Sequence, residues 1–573
     1  MSIQGLARSI VGERTWSLLL DTAVFIAIMA MICSVLMVGH AWLGPVESRV
    51  EISRSPSALP LYSLYSLVRM AVAYVLSLIF AVTYGYIAAY NKRLQGIMLA
   101  VLDILQSIPV LSFLPGVMLA MVALFPTRQV GVEIGSIVLI FTGQVWNMAF
   151  SFYASLKAIP KELREASRVY RFGWLQRFLQ LELPYATIGL VWNSMVSVAG
   201  GWFFLMACEM FQLGQRDFRL PGLGSYLQSA ASAGDTGAIL WGLTVMIAVI
   251  ILLDQFVWRP AIAWSEKFKF EQVEATAAPE SWVLNMLRRS PLLTRLQEMT
   301  LTPLEERLCA RTAEPATNQT RSSAGKVVLA VIMATAFATM IGYGVFEAAN
   351  TLRGVTGGAL LTTIESAGAT FARVLISLVI ASLWTIPAGV AIGFSPRLAR
   401  IAQPLAQIAA SVPATALFPV VLLGLLRLGG GLTAGSVLLM LLGTQWYILF
   451  NVIAGATAIP SEFHEVAEIF RFSRLDRWRT VILPGIFPYL VTGLVTASGG
   501  AWNASIVAEY FHFQGKVLQT FGLGAEISSA TDAGNYSVLL LSTVVMASLV
   551  VTVNRMLWRP LYRLAESRYK LEG

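Results

Sequence analysis

Charge is scarce in this chain of 573 residues: Asp, Glu, Lys and Arg make up 13% of it, against about 25% in an ordinary soluble domain. Hydrophobic residues reach 56% and mean hydropathy is +0.69, which argues against a cytosolic enzyme. Cysteine is also rare. Cys33, Cys208 and Cys309 are too far apart to suggest a disulfide framework or a thiolate cluster. His40, His464 and His512 are scattered and form no ligand constellation, so no metal is expected. No G-x-x-x-x-G-K-[ST] phosphate cradle occurs, nor any nucleophile-and-base pattern, so the chain is expected to bind no cofactor and to catalyse nothing itself. The net charge of +9, from 41 basic and 32 acidic residues, makes no case for nucleic acid, because in a membrane protein the placement of cations matters more than their sum.

Long apolar runs are abundant. A bilayer core of about 30 Å needs about 20 such residues per helix, and twelve runs qualify: 18–42, 61–90, 97–125, 132–156, 185–208 and 237–258, then 325–346, 368–394, 401–426, 432–456, 486–508 and 536–558. The first follows Arg8 and Arg14 but is longer than a signal h-region, and it reads as a retained span. A cytoplasmic N-terminus puts Arg49, Arg54, Arg128, Arg216, Arg219, Arg353, Arg427 and Lys516 outside. With Arg69 and Arg373 in or at the edge of spans, 31 of the 41 basic residues fall inside, the asymmetry expected when both termini are cytoplasmic.

The chain repeats itself. At a shift of 300, Ile159-Pro160 meets Ile459-Pro460, Leu183-Pro184 meets Leu483-Pro484, Trp202 meets Trp502 and Glu209 meets Glu509. Gly222-Leu223-Gly224 likewise meets Gly522-Leu523-Gly524, and Trp258-Arg259-Pro260 meets Trp558-Arg559-Pro560. Upstream the shift is 304, with Arg69 on Arg373, Pro109 on Pro413 and Pro115 on Pro419. The expected organisation is a first repeat over 1–260, a polar linker over 261–324 and a second repeat over 325–573. The linker allows an amphipathic stretch around Trp282, Leu284, Met286 and Leu287. Six spans per repeat, an even number, make the repeats parallel, with the natural site on the seam between them.

Two polar loops carry the most specific pattern: IPKELREASRVYRFGWLQRFLQLELP over 159–184 and IPSEFHEVAEIFRFSRLDRWRTVILP over 459–484. Proline opens a helix in each, with Glu162 and Glu462 near its positive end. Leu163, Ala166, Val169 and Tyr170 form one apolar stripe; Phe463, Val466, Ile469 and Phe470 form its twin. Such a helix either docks into a groove of another protein or lies on its own bundle.

These loops, with Glu165-Ala166-Ser167 and Glu465-Val466-Ala467 ahead of Leu-Pro, resemble the Glu-Ala-Ala loop of ABC importer permeases. The text around Ser107-Ile108-Pro109, Trp202 to Glu209 and Gly-Leu-Gly is similar to the nitrate, sulfonate, taurine and bicarbonate branch. The resemblance implies an all-α polytopic membrane protein of about twelve spans, a fused type I importer permease in the bacterial inner membrane that moves a small anion. It further implies a coupling helix in each loop, seated on two ABC ATPase subunits or domains that hold ATP and Mg, and a periplasmic or lipid-anchored solute-binding protein outside. A ligand-free permease of this kind is expected to stand open to the cytoplasm. One departure stands out: Arg171 and Arg471 occupy a position where the family has glycine. Because arginine adopts positive φ only at a cost, either the loop geometry or its ATPase contact is open to change.

Candidate pathway residues are Arg69, Ser107, Pro109, Trp146, Trp202, Glu209, Arg373, Ser411, Pro413, Trp446, Trp502 and Glu509, with Gln106, Gln144, Gln445, Asn147, Asn193 and Asn503 nearby. Ionisable groups within hydrocarbon are costly without a partner or a polar cavity. Arg69 and Arg373 therefore attract an anion, snorkel, or pair within their own half; Glu209 and Glu509 shape an outer gate or bind the adjacent turn. The prolines should break or kink the third and ninth spans. The competing class is a stand-alone secondary transporter, also built from parallel six-helix repeats.

Overall fold

The computed structural model describes residues 50–126, 129–213, 216–268, 281–288, 342–427, 431–513 and 516–568, with isolated positions elsewhere. Most of the expected spans at 18–42 and 325–346 and most of the linker fall outside the described residues. Within the linker, Trp282–Arg288 is helical, with Val283 buried and Trp282 set edge-on against Phe256.

In the first half α1 (Leu59–Tyr90), α2 (Lys92–Ser107), α3 (Leu114–Leu124), α4 (Val130–Ala158), α5 (Lys161–Val169), α6 (Leu183–Glu209), α7 (Leu223–Ala233), α8 (Thr236–Leu253) and α9 (Arg259–Ser265) follow one another. The linker helix is α10. The second half repeats the series as α11 (Gly357–Phe394), α12 (Pro396–Ser411), α13 (Ala414–Arg427), α14 (Leu432–Thr457), α15 (Ser461–Ile469), α16 (Leu483–Ala508), α17 (Leu523–Ala533), α18 (Tyr536–Val553) and α19 (Arg559–Arg568). Small antiparallel hairpins follow α6 and α16: β1 (Gln212–Leu213) with β2 (Arg216–Asp217), and β3 (Tyr510–Phe513) with β4 (Lys516–Gln519). In each half the long helices pack in series, α1 on α4 and α4 on α6, α11 on α14 and α14 on α16.

Eight helices among the described residues are long and apolar enough to cross a membrane. The runs 97–125 and 401–426, whose prolines are expected to break or kink the spans, are broken. In the first, Pro109 caps a 3-10 turn over Val110–Phe113 between α2 and α3; in the second, α12 and α13 meet at 89° beside Pro413. Four π-helical turns, Phe178–Glu182, Asp254–Trp258, Trp478–Ile482 and Asn554–Trp558, each end two residues before a proline. A proline ring clashes with the carbonyl four residues back, and a locally widened turn relieves that clash.

The halves lie parallel. Tyr90, at the end of α1, bonds Glu182 just ahead of α6, so α2 starts at the end of the bundle that carries α5. From α2, Asp103 meets Arg559, which follows α18 at the end that carries α15, at 3.2 Å. Further along the seam Leu111 N–H donates to Asn503 Oδ1 at 3.4 Å and the Thr543 hydroxyl to the Ser112 carbonyl at 3.1 Å. The short helices α5 and α15 thus share one end and the hairpins the other, separated by α6 and α16, each about 40 Å long.

Candidate functional site

At the hairpin end of the first half, Arg69 on α1 is 1% exposed and holds three elements together. Its Nε and Nη2 donate to Glu133 on α4 at 2.6 and 2.8 Å, while Nη1 donates to Glu209 at 2.8 Å and to the Pro221 carbonyl at 2.8 Å. A rigid guanidinium fork suits such paired acceptors. The Ser66 hydroxyl donates to Glu209 at 2.6 Å and accepts from Leu223 N–H at 3.0 Å; Gly224 N–H donates to Glu209 at 2.7 Å. Glu209 therefore sits at the positive end of α7. Gly222 is extended, yet a Cβ there would stand 2.3 Å from the Glu209 carboxylate, so the turn admits only glycine for want of space.

The second half repeats this with one acid fewer. Arg373 donates to Glu509 at 2.7 Å, to the Phe521 carbonyl at 2.7 Å and to Thr520 at 3.1 Å. Thr370 does what Ser66 does, donating to Glu509 at 2.9 Å and accepting from Leu523 N–H at 2.8 Å, and Gly524 N–H donates to Glu509 at 2.8 Å. In α14 the match to α4 runs at a shift of 300, Gly135-Ser136 on Gly435-Ser436, so Glu133 has Thr433 as its counterpart. Thr433 bonds Thr520 at 3.0 Å, and the Arg373 Nε is buried without a partner. Each arginine is thus bound within its own half.

A cavity of about 1600 Å³ lies on the seam. Its lining runs from Trp202 and Trp502, almost fully buried, down to Thr457 and Ala458 beside α15. Between these levels stand Trp146, Asn147 and Phe203 from one half and Ser411, Pro413, Trp446, Tyr447 and Asn503 from the other, with Gln106 and Gln407. Asp103, Asp254, Arg559 and Arg563 line its α5–α15 end. Of the expected pathway residues, Trp146, Trp202, Ser411, Pro413, Trp446 and Trp502 line the cavity. Arg69, Glu209, Arg373 and Glu509 form the clusters at the hairpin end, Pro109 is buried at the break in the third run, and the Ser107 side chain is outside the described residues. Gln144 is buried against the Met70 sulfur at 2.9 Å.

At the opposite end α5 and α15 each follow a proline, Pro160 or Pro460, and end in the same way. Phe172 N–H donates to the Ser167 carbonyl and Arg171 N–H to that of Arg168; Phe472 and Arg471 repeat this on Ala467 and Glu468. That is a Schellman closure, which needs a left-handed residue at its turn. Arg171 and Arg471 supply it, at φ 54° and 50°, the two positive-φ residues other than glycine among those described. The arginines therefore hold at each turn a left-handed backbone that glycine adopts at lower cost. The apolar stripes face away from the bundle: Val169 is 78% exposed, Tyr170 75%, Ile469 75% and Phe470 70%. Phe463, Ala166 and Val466 are exposed too, as are Glu162, Glu165, Glu462 and Glu465, whereas Leu163, expected in the stripe, packs against the first half's own core.

The family model for the binding-protein-dependent transport system inner membrane component matches this chain twice, over 81–257 and 385–568. The chain belongs to that family. It is a multi-pass membrane protein of a transport system, and its class is a transport rather than a catalytic component. The chain is similar to the nitrate import permease protein NrtB of Leptolyngbya laminosa, 28% identical over 186 residues, which is 32% of this chain and 63% of that protein. It is also similar to the taurine transport system permease protein TauC of Escherichia coli K12, 28% identical over 36% of this chain and 70% of that one. The bicarbonate transport system permease protein CmpB of Synechococcus elongatus is 26% identical over 33% and 64%. The chain thus spans under two thirds of the nitrate and bicarbonate relatives' own length.

Sequence reasoning missed Glu133, Ser66, Thr370 and Thr520. Glu133 carries a readable signal as an acid within the apolar run 130–141, where an ionisable group is costly without a partner, but unlike the arginines it has no counterpart of its own charge in the second half.

Proposed function

We propose that this chain is the fused permease of an ATP-driven ABC importer, forming the pathway for a small anion of the nitrate, bicarbonate or sulfonate kind. In this reading α5 and α15 are coupling helices in the cytoplasm, seated on two ABC ATPase subunits or domains that carry ATP and Mg. The N- and C-termini are cytoplasmic, the membrane is a bacterial inner membrane, and a periplasmic or lipid-anchored binding protein delivers solute at the hairpin end. The observation that carries the reading is the pair of short helices at equivalent places whose apolar faces stand free at one end of a bundle with a seam cavity. Contiguous exposed apolar faces of this kind mark sites where another protein docks.

The cavity lining, which reaches the α15 end and stops at the tryptophan wall, supports an inward-open resting state. Closure of the ATPases would draw α5 and α15 together and rock the halves outward. The Asp103–Arg559 contact at 3.2 Å bridges the halves at that same end. The expected solutes follow the relatives' nitrate, taurine and bicarbonate transport.

The test pairs Tyr170→Ala with Phe470→Ala in the full chain, reading co-purification with ATPase and ATP-dependent uptake into vesicles. Both should fall at least about tenfold, since exposed aromatic anchors of this kind contribute about 2 kcal/mol or more at an interface. ATP-independent uptake by the purified chain down an ion gradient would return the secondary-transporter reading.

A further inference from the structure

The tryptophans of the seam cavity match between the halves, Trp146 with Trp446 and Trp202 with Trp502, but the residue beside the first pair does not: Asn147 on α4 has Tyr447 on α14 as its counterpart. Both line the cavity. Asn147 stands exposed, a short side chain that leaves its side of the cavity open. Tyr447 instead reaches across the seam. A Cβ added at Gly500, on α16 of its own half, would meet its ring Cε2 at 3.4 Å, and one added at Gly200, on α6 of the other half, would meet its hydroxyl at 3.7 Å. Those glycines are counterparts, each two residues before a tryptophan of the wall. One phenol ring, supplied by the second half alone, therefore lies across the gap between α6 and α16 directly beneath that wall. Its carbonyl accepts from Asn451, whereas its hydroxyl bonds no other described residue and is available to solute.

Resting on the permease reading above, we propose that Tyr447 sets the size of solute that the pathway passes. Selectivity of a transport pathway comes down to its width and the hydrogen-bonding groups along it. A ring with two torsions, lodged between two helices, is a wall that yields little. With the ring across one side of the seam, solute reaches the tryptophans on the Asn147 side, past an amide and a phenol hydroxyl. Neither group is charged, and the charged residues of the lining, Asp103, Asp254, Arg559 and Arg563, all stand at the α5–α15 end. Shape and hydrogen bonds therefore decide what passes here. The solute class is a compact oxyanion or a narrow alkyl sulfonate; a sulfonate that bears an aromatic ring is stopped by collision, which discriminates without tightening the hold on the smaller solute. An asparagine at 447, as in the first half, would open both sides.

The experiment labels a cysteine placed above the ring in the full chain, purified without nucleotide. Phe203 lines the cavity one helical turn nearer the hairpin end than Gly200, and Phe203→Cys is introduced together with Cys33→Ser, Cys208→Ala and Cys309→Ser. Two sulfonate probes are used, compact sulfonatoethyl methanethiosulfonate and a bulky stilbene disulfonate maleimide, and the rate with each is compared across variants. Tyr447→Asn should speed labelling by the bulky probe about tenfold or more and leave the compact probe within about twofold. Tyr447→Phe keeps the ring and should leave both rates as in the parent. Asn147→Tyr adds a second ring and should slow even the compact probe about tenfold. Matching melting temperatures show that the variants fold. Bulky labelling indifferent to Tyr447→Asn overturns the inference, as does an equal rise for both probes or compact labelling untouched by Asn147→Tyr. ATP-independent uptake in the vesicle assay would overturn the permease reading while leaving this labelling pattern in place, so the two failures are told apart.

Discussion

The buried arginines at the hairpin ends answer one packing problem with different charge counts. Around Arg69 one cation meets two carboxylates, Glu133 and Glu209; around Arg373 one cation meets Glu509 alone, and Thr433 and Thr520 fill the space of the missing acid. Everything else is held constant: a hydroxyl from the preceding turn, the Gly-Leu-Gly corner and the free N–H groups of α7 and α17. The shared part is what closes each half, and the extra carboxylate is an addition to it. A buried charge is tolerable only when fully bonded. The first half meets that condition at Arg69, whereas the second leaves Arg373 Nε unpartnered.

The comparison breaks most severely at the arginines themselves. Arg69→Met orphans two buried carboxylates and should cost at least the 3–5 kcal/mol typical of breaking a buried pair. Arg373→Met orphans one and should cost less. Thermal unfolding of the two variants in the same detergent checks the order; equal losses would mean that Glu133 contributes nothing. Exchanging the differing residue sharpens the point. Glu133→Thr should destabilise the first half by about 3 kcal/mol, since two charge-assisted bonds are lost. Thr433→Glu should stabilise the second by about 1.5 kcal/mol if its carboxylate reaches the vacant Nε. A loss in the second case would show that α14 stands too far from Arg373 for an acid to serve.

Smaller in effect are Gly222→Ala and Gly522→Ala. An added Cβ would approach the Glu209 carboxylate to 2.3 Å and that of Glu509 to 2.4 Å. Each carboxylate is locked by several donors, so overpacking of about 2 kcal/mol is expected in both halves. The unfolding scans already described would reveal it, and a neutral result would mean that the corner is looser than its hydrogen bonds imply.

Much of this was legible before any coordinates. The duplication, the breaks at Pro109 and Pro413, and the helices after Ile159-Pro160 and Ile459-Pro460 all come from local signals: prolines that remove donors, and apolar residues at helical spacing. The partners of the buried arginines were not legible, because Arg69 and Glu133 are far apart in sequence and meet only when α1 packs on α4. Leu163 also misled, since periodicity assigns a residue to a stripe but cannot say that the stripe's first turn is folded under the bundle. Conversely, the π turns before Pro184, Pro260, Pro484 and Pro560 follow from a signal present in the sequence, a proline inside a long apolar helix.

The smallest effect separates strain from use. Arg171 and Arg471 hold a left-handed backbone that costs an L-residue about 1 kcal/mol more than glycine. Arg171→Gly and Arg471→Gly should therefore each stabilise their loop by about that much. Amide exchange at Phe172 and Phe472, whose N–H groups close the Schellman turns, should slow about fivefold, which is that energy expressed as a ratio. The guanidiniums themselves are exposed beside each exposed apolar stripe. If they grip the ATPase, the same variants that steady the loop will weaken its retention, and Arg→Lys will keep the charge while leaving the strain in place. Opposite signs in stability and binding would mean that the cation has a use at the interface outweighing its backbone cost. A gain in both would mean that glycine is the better residue here and that the arginines do nothing a partner reads.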